Sequence, residues 1–388
     1  MTSLDIAGAR LFNQHLAGAP FETPAEAVRR LGAVQSQDYG AAKWALGLRV
    51  RGATDAAVEQ AFNDGAILRT HVLRPTWHFV TPADIRWMQA LTAPRVRPRF
   101  AYAYARLGLD QATLARSNAL LEKSLRGGKQ LTRTELVVLL RRTGLATDDS
   151  LRTIHILASA ELDGIICSGP RRGKQHTYAL LDERVPPAKS KMARDEAVAE
   201  LARRYFTSRG PATLKDFMWW SGLAAADARA GVETNKAHLA REVVDGETYW
   251  LPASGPVSKR ASRPASAYLL PNFDEYLVGY VDRSAISDTP RANPLDSRGS
   301  ILSNAIVIDG QAAGVWRRTF RKGGALIAMQ TLAPLTPAKA RAVTAAARRY
   351  GEFLGMEVTC DWAGRDSSMV IPGSRTGTDA QLPAGFNG

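Results

Sequence analysis

Apolar positions at helical spacing dominate the beginning of the chain. Thr23-Pro24 has the order of a capping residue and a proline at the first helical position, and the apolar residues that follow continue the helix towards Val34. Thr54-Asp55 begins a second helix, with Val58 and Phe62 on its apolar face. The pattern predicts two short helices separated by a non-helical segment.

A hairpin is predicted after these helices. Residues 70–73 and 76–80 are rich in β-branched and aromatic side chains, and Arg74-Pro75 between them has the composition of a turn. Helices followed by a hairpin with a basic tip are typical of a winged helix.

The same order recurs further along the chain. A capping box, Thr132-Arg133-Thr134-Glu135, begins a helix, and a second helical stretch covers residues 151–162. A strand around residues 165–167, a basic wing at residues 169–176 and a returning strand at residues 177–180 follow. We therefore predict a second winged helix.

A third helical unit is predicted over residues 195–229. Residues 195–206 form an amphipathic helix, and Thr213 begins another that reaches Trp219-Trp220-Ser221-Gly222 before a turn and a final helix. The three units share an architecture without a letter-by-letter repeat, so a solenoid is not indicated.

Beyond about residue 240 the pattern changes to strands, followed by a closing helix. Residues 254–263 and 288–298 are rich in Ser, Pro and Arg, which predicts loops, and residues 373–388 are predicted to form a disordered tail. The strands are predicted at residues 247–251, 268–270, 306–308 and 314–316, and the helix at residues 337–354.

The predicted fold class is α+β, with tandem winged-helix modules and a C-terminal β-rich module. A chain of 388 residues is too long for one ordinary core, since about 150 residues per domain is usual. The predicted modules are a first winged helix at residues 1–92, connecting helices and a second at 93–190, a third at 191–242, a β-rich module with its closing helix at 243–372, and a tail at 373–388.

The chain is strongly basic. It has 51 Lys and Arg against 37 Asp and Glu, a net charge of +14 and a pI near 10.0. Residues 94–142 contain eleven basic and three acidic residues, and residues 315–350 contain eight basic residues and no acidic one. An arginine-rich proteome explains a high total charge, but clustered charge is what binding along a phosphate backbone needs.

The cysteines and the beginning of the chain argue against several classes of protein. Cys167 and Cys360 lie far apart without a partner motif, so neither a disulfide framework nor a zinc site is indicated. The first residues lack the features of a secretory signal, and no apolar run reaches the roughly eighteen residues of a membrane span. We expect a soluble cytoplasmic protein associated with the nucleoid.

Gln35-Ser36-Gln37 is the most informative motif for chemistry. Side chains at i and i+2 lie about 200° apart on a helix but share one face of an extended segment, so only the extended form directs both amides at one target. The alternative is a pair of glutamines at a helix end that bond to loop backbone.

Five segments resemble the AlkZ-like bacterial DNA glycosylases, a winged-helix family that removes bulky alkylated purines and unhooks interstrand crosslinks. Each segment alone is weak, and their common order along the chain makes the match specific. The resemblance extends roughly over residues 5–360, and Gln at position 37 resembles the Gln-x-Gln branch more than the related Gln-x-Asp branch. The segments are Gln35-Ser36-Gln37, residues 69–80, Trp219-Trp220-Ser221-Gly222, residues 270–276 and residues 314–318.

The resemblance implies a concave, basic channel for duplex DNA, with Gln35 and Gln37 at its floor as the catalytic residues. Alkylation at N7 places positive charge on a purine and makes it a good leaving group, so no strong general acid is needed. An amide carbonyl that holds a water beside C1′ would then suffice. Asp38 adjoins the motif, and the mechanism would differ if its carboxylate took part.

Basic residues of the two hairpins and of the β-rich module are predicted to contact DNA. For His71 and His78, burial in a sheet with satisfied ring nitrogens is an equally open interpretation. For the residues of the second wing and the β-rich module, the alternative is a merely solvated surface. The predicted DNA-binding residues are Arg69, His71, Arg74, His78, Arg171, Arg172, Lys174, Arg317 and Arg318.

Two other segments have structural interpretations. Trp219 and Trp220 could stack on a base, but large aromatic residues in an apolar helix are more often part of a core. Asp274 and Glu275 are adjacent and therefore point apart, and Pro271 before them indicates a turn, so structural use is favoured over a pair of catalytic carboxylates.

We therefore predict a monofunctional DNA glycosylase that hydrolyses the N-glycosidic bond of N7-alkylated purines, including bulky adducts or interstrand crosslinks, in DNA repair. Its expected partner is double-stranded DNA with alkylated purines. No cofactor, metal or membrane is expected, because phosphate loops and metal-binding His pairs are missing from the sequence. One chain with several wings can cover a duplex, which favours a monomer. A non-catalytic winged-helix DNA-binding protein or transcriptional regulator stays open as the alternative.

Overall fold

The computed structural model of the chain describes residues 4–147, 149–187, 191–254, 266–287 and 304–362. The loop predicted at residues 288–298 and the tail predicted at residues 373–388 lie outside the described residues, as does the loop predicted at residues 254–263 apart from Ser254.

The first module combines short helices with a three-stranded antiparallel sheet of order β1-β3-β2. The helix predicted at Thr23-Pro24 is confirmed, because the Thr23 side chain accepts a hydrogen bond from the Glu26 backbone at 3.2 Å. The elements are α1 (Ile6–Asn13), α2 (Pro24–Leu31), β1 (Val34–Gln35), α3 (Tyr39–Gly47), α4 (Asp55–Asn63), β2 (Leu68–His71) and β3 (Trp77–Val80).

The second module repeats the combination of helices with a three-stranded antiparallel sheet, here of order β4-β6-β5. The predicted capping box of Thr132 and Glu135 is present. The boundary predicted after residue 92 falls inside a long helix. The elements are α5 (Pro82–Val96), α6 (Ala101–Arg106), α7 (Gln111–Leu125), β4 (Leu131–Thr132), α8 (Arg133–Arg142), α9 (Ser150–Leu162), β5 (Ile166–Ser168), β6 (Thr177–Leu180) and α10 (Leu181–Arg184).

A third group of helices leads into a two-stranded hairpin. The boundary predicted at residue 242 falls inside the first strand of this hairpin. The elements are α11 (Arg194–Arg209), α12 (Leu214–Ser221), α13 (Ala225–Thr234), β7 (Leu239–Val244) and β8 (Glu247–Pro252).

The C-terminal part is a five-stranded sheet of order β13-β12-β11-β10-β9 with one long helix against it. Within the described strands of this sheet, β12 and β13 pair in parallel and the other neighbours pair antiparallel. The strand predicted at residues 314–316 is far longer. The prediction missed β12, which contains an apolar run without alternation, and β13, whose residues do alternate between polar and apolar. The elements are β9 (Ala267–Leu270), α14 (Glu275–Val278), β10 (Ala305–Ile308), β11 (Gln311–Arg321), β12 (Gly324–Thr331), α15 (Pro337–Leu354) and β13 (Glu357–Trp362).

One hydrophobic core joins the beginning of the chain to its C-terminal sheet. Trp44 of α3, Trp316 of β11 and Tyr350 of α15 are buried together, with ring centroids 4.9 Å (Trp44 to Tyr350) and 5.1 Å (Trp316 to Tyr350) apart. The Trp44 indole also donates a hydrogen bond to the Leu269 carbonyl at 2.7 Å. This packing fixes α3, and with it the glutamine motif, between the first module and the sheet. Along the described ranges, no helix has the length and apolar character needed to cross a bilayer.

Candidate active site

The glutamine motif lies where α2 leads into the first sheet. α2 ends at Gly32, whose φ of +78° belongs to the left-handed region that glycine adopts without strain. The chain then extends into β1, where Val34 is opposite Phe79 and Gln35 is opposite His78. The extended conformation predicted for the motif is therefore confirmed at its first glutamine.

Gln35 is fixed through its backbone. Its N–H donates to Oε1 of Glu275 at 2.8 Å, although 240 residues separate the two. The residue is 9% exposed, and its Oε1 is enclosed with no hydrogen-bond partner among the described residues. The other carboxylate oxygen of Glu275 accepts from Arg209 Nε at 3.1 Å and from the Trp220 indole at 3.0 Å. Glu275 therefore anchors this strand to two further parts of the molecule.

Gln37 is half-buried, and its carbonyl is only weakly bonded. The Trp77 backbone N–H donates to Gln37 Oε1 at 3.5 Å, which is beyond the usual range for N–H···O bonds. Ser36, between the two glutamines, is buried and donates its N–H to the Trp77 carbonyl at 2.8 Å. The backbone of the motif is thus held in place, while the Gln37 carbonyl can accept a hydrogen bond from a further donor such as water.

Asp38 has a clear structural partner. It is the N-terminal capping residue of α3, and its Oδ1 accepts a hydrogen bond from the Ala41 backbone at 3.0 Å. The carboxylate next to the motif is therefore turned towards the helix that it caps.

Arg69 contacts the motif directly. Its Nε donates to the Ser36 carbonyl at 3.0 Å, and its guanidinium carbon lies 4.4 Å from the centroid of the Trp77 ring. His71, two residues further along β2, is buried, and its Nδ1 bonds to the carboxylate of Glu161 in α9. Of the two interpretations of His71, the structure shows the buried and satisfied histidine.

His78 faces the interior and Arg74 is half-buried, which corrects the picture of a hairpin with a fully exposed basic tip. His78 is 0% exposed, and burial holds the pKa of its ring well below the usual value. Arg74 has its Nε and Nη2 enclosed with no partner in the described ranges, and burial lowers the pKa of Arg74 to about 10. The reason is tertiary packing, since the Leu73 carbonyl lies against Gly222 after α12 and leaves no space there for a Cβ.

The second predicted wing divides its basic residues between interior and surface. Arg171 donates to His176 Nε2 at 2.7 Å, and its guanidinium carbon lies 4.8 Å from the Tyr39 ring centroid at the start of α3. Burial, reinforced by Arg69 and then Arg171, lowers the pKa of His176 to about 2. The other two predicted contacts, Arg172 and Lys174, are exposed, with Arg172 paired to Glu135 at 2.8 Å.

Arg318 of the C-terminal sheet reaches the first turn of α3, which follows the motif. Its Nη1 donates to the Tyr350 hydroxyl at 2.8 Å, and its Nη2 packs beside Gly40 in the first turn of α3. Arg317 precedes it on β11 and so faces the opposite side of the sheet. The predicted residues that the structure brings together around the start of α3 are Gln35, Gln37, Arg69, Arg171 and Arg318.

The acidic pair is engaged in structural contacts. Asp274 bonds to both terminal nitrogens of Arg49 at 2.8 Å and caps α14 by accepting from the Tyr276 backbone. Like Glu275, it is 0% exposed. Their contacts agree with the structural interpretation, and no cluster of three His, Cys, Asp or Glu side chains within the described ranges could hold a metal ion.

The prediction of a buried tryptophan pair is confirmed for Trp220 and wrong for Trp219, which is 42% exposed. Adjacent helical residues point about 100° apart, so both could not face one core.

The sequence analysis did not identify Arg209, the partner of Glu275, or Glu161, the partner of His71. For Glu161, the available signal was the one acidic side chain of α9, which lies near the end of the helix among apolar residues.

The fold and site define a mixed α/β protein with a polar, amide-centred site flanked by arginines. A family model described as "DNA glycosylase AlkZ-like" matches residues 28–353, and the chain belongs to this family. It is 25% identical over 322 residues to an interstrand DNA cross-link repair glycosylase of Streptomyces sahachiroi, covering 79% of this chain and 85% of that protein. The solved structure of the Streptomyces sahachiroi DNA glycosylase AlkZ shares the fold, with a TM-score of 0.75 at 20% identity over 92% of this chain and 98% of that chain.

Proposed function

We propose that this DNA glycosylase is monofunctional and hydrolyses the N-glycosidic bond of N7-alkylated purines in duplex DNA, including bulky adducts and interstrand crosslinks. The observation that carries the proposal is the state of the polar groups around the glutamine motif. Asp38 and Glu275 are committed to a helix cap and an ion pair, whereas the Gln37 carbonyl is half-buried and weakly bonded. The Gln37 amide is therefore the group that can bind the reacting water, as in a Gln-x-Gln enzyme.

In this mechanism Gln37 accepts a hydrogen bond from a water beside C1′, and Gln35 supports it from the adjoining strand. The bond between C1′ and N9 breaks, and its electron pair passes to the base, where it neutralises the charge that N7 alkylation created. The water oxygen bonds to C1′, and its proton is released to solvent. Holding the water in line is a positioning effect, which contributes orders of magnitude in rate.

The arginines around the start of α3 would contact the phosphates that flank the lesion. Arg69 and Arg318 reach this position from opposite ends of the sequence. Together with the exposed Arg172 and Lys174 they would line a basic channel between winged-helix modules, in which a single chain covers the duplex.

The test is single-turnover incubation with duplexes that carry N7-methylguanine, a bulky N7 adduct or an N7 crosslink, followed by detection of abasic sites. The wild-type protein should release the base without cutting the strand. Gln37→Ala should lower the rate at least about 100-fold, and Gln35→Ala should also lower it, since positioning is lost.

Gln60→Ala is the matched control, because Gln60 is an exposed glutamine of α4 that bonds only to Asp64 among the described residues. It should retain the wild-type rate. Salt-sensitive binding by the wild-type protein with no base release from any adduct would reject catalysis and favour a non-catalytic DNA-binding protein.

A further inference from the structure

The first sheet and the loop of its hairpin contain buried polar atoms that have no hydrogen-bond partner within the described part of the chain. They belong to Gln35 (Oε1), Arg74 (Nε and Nη2), Thr76 (Oγ1) and His78 (Nε2). Buried polar atoms in proteins are paired in the great majority of cases, with protein groups or with ordered water. Four such residues within one hairpin and its neighbouring strand therefore indicate a hydrated site.

Gln35 and His78 stand side by side in this group. They are direct partners in the antiparallel pairing of β1 with β3, so their side chains leave the sheet on the same face, with Cβ atoms about 5 Å apart. His78 is 0% exposed and Gln35 is 9% exposed. Arg74 lies close enough that its charge is, after burial, the largest cause of the lowered pKa of His78.

The donors and acceptors in the group complement one another. The Nδ1 of His78 is 3.0 Å from the Thr76 carbonyl, which only accepts, so Nδ1 carries the proton and Nε2 presents a lone pair. Gln35 Oε1 is a second acceptor, and the two free nitrogens of Arg74 are donors. One water can accept from Arg74 and donate to both Gln35 and His78, which satisfies groups that otherwise remain unpaired.

We propose that Arg74 and His78 hold an ordered water against the Gln35 carbonyl and thereby fix the orientation of the Gln35 amide. The carbonyl then stays turned towards the interior, and the amide N–H₂ group points away from it. His78 and Arg74 are positioning residues in this arrangement, in place of the DNA contacts that their basic character suggested. The consequence for rate rests on the proposed function, whereas the water itself does not.

The first experiment is a crystal structure of the free protein at a resolution that shows ordered water. A water within hydrogen-bond distance of Gln35 Oε1, His78 Nε2 and Arg74 is expected. A dry site, or direct hydrogen bonds among these three side chains, overturns the proposal whatever the protein catalyses.

The second experiment compares His78→Leu with His78→Gln in single-turnover base release and in equilibrium DNA binding. His78→Leu removes the acceptor and should lower the rate about 10- to 100-fold with an unchanged Kd. His78→Gln restores an acceptor near the position of Nε2 and should recover most of the rate. A raised Kd, or equal rates for both variants, overturns the positioning role.

His155→Leu is the matched control for packing. His155 is also buried, with an unpaired Nδ1, but lies among Phe100 and Tyr104 in the second module. His155→Leu should lower the stability measured by urea denaturation, as His78→Leu does, but it should keep the wild-type rate of base release. If His155→Leu lowers the rate equally, the effect of His78 is structural. Absence of base release by the wild-type protein rejects the proposed function and leaves the water to be judged by the crystal structure.

Discussion

Among single residues, the carboxylates near the glutamine motif are engaged in structural contacts, whereas the Gln37 amide is only weakly bonded. Asp38, Asp274 and Glu275 are the carboxylates that the sequence analysis considered for a catalytic role. Each of them has a structural partner. Gln37 lacks such a commitment. An ionised carboxylate with a good hydrogen-bond donor is held firmly, whereas a neutral amide with a long contact can exchange its partner for water.

Asp38→Asn tests whether the neighbouring carboxylate has a chemical role. Asparagine is as good a capping residue as aspartate, so α3 should remain intact. We expect base release within about 3-fold of wild type, since the loss of a helix-terminal charge is worth only a few tenths of a kcal/mol to about 1 kcal/mol. The measurement is the single-turnover rate on N7-methylguanine, and a loss approaching that of Gln37→Ala would assign the carboxylate to the reaction.

The buried histidines make stability depend on pH. Burial places the pKa of His78 and His176 below the unfolded value of about 6.5. The folded state therefore binds fewer protons, so the stability present above pH 6.5 is lost as the pH falls through and below it. Between pH 7.5 and 5.5 each histidine should remove about 1.4 kcal/mol from the free energy of unfolding, measured by urea denaturation.

In His176→Phe, the loss in the free energy of unfolding between pH 7.5 and 5.5 should be smaller by about 1.4 kcal/mol, because the buried imidazole that must stay neutral is absent. The comparison is between two pH values of one variant, so a change in its overall stability cancels. His238 is exposed, and His238→Asn should retain the wild-type pH dependence. An unchanged difference in His176→Phe would contradict the assignment.

At the scale of elements, short-range signals located most helices, and the sheets were less predictable. The caps at Thr23 and Thr132 act within three residues, which is why the sequence revealed them. β11 extends over Gln311–Arg321 because β10 and β12 pair with it along its length, and those hydrogen bonds have no local sequence signal. The edge strand β13 alternates polar and apolar residues over Glu357–Trp362, so a local strand signal was present there and was missed.

The second predicted wing should contribute to DNA binding through its exposed end. Lys174 is exposed, whereas Arg171 is packed on Tyr39. Lys174→Ala should weaken binding to undamaged duplex and reduce the slope of log K against log salt by about 0.9, the value for one phosphate contact. Fluorescence anisotropy over a series of salt concentrations measures both quantities.

Lys236→Ala is the control for net charge. Lys236 is exposed after α13 and pairs with Glu233 at 2.8 Å. Lys236→Ala changes the total charge by the same amount as Lys174→Ala. We expect it to leave the slope of log K against log salt unchanged. Equal effects of the two variants would show that binding responds to total charge and not to the wing.

At the scale of the whole molecule, buried ion pairs connect distant parts of the chain. Glu275 joins β1 of the first module to Arg209 of α11, and Asp274 joins α14 to Arg49 beyond α3. The hydrophobic core shared by α3, α15 and the C-terminal sheet acts in the same way. The position of the glutamine motif is thus set by elements from both ends of the sequence.

Glu275→Ala should destabilise the protein by about 3–5 kcal/mol, because it leaves Arg209 buried without its partner. The loss should also free the backbone of Gln35 and lower base release. Glu122→Ala is the control, since Glu122 forms an exposed pair with Arg126 and should cost at most about 1 kcal/mol. Urea denaturation measures both, and similar values for the two variants would contradict the anchoring role of Glu275.

Several helix starts and the extended conformation at Gln35 could be predicted from the sequence alone, because helix caps and side-chain alternation act over a few residues. The order of the motifs along the chain was also enough to indicate the AlkZ-like DNA glycosylase family. Long-range packing decided that His78 and two nitrogens of Arg74 are enclosed, that Trp219 is exposed beside buried Trp220, and that Glu275 anchors Gln35. Burial depends on contacts between residues hundreds of positions apart, and composition alone cannot distinguish a charge that meets DNA from one that meets the interior.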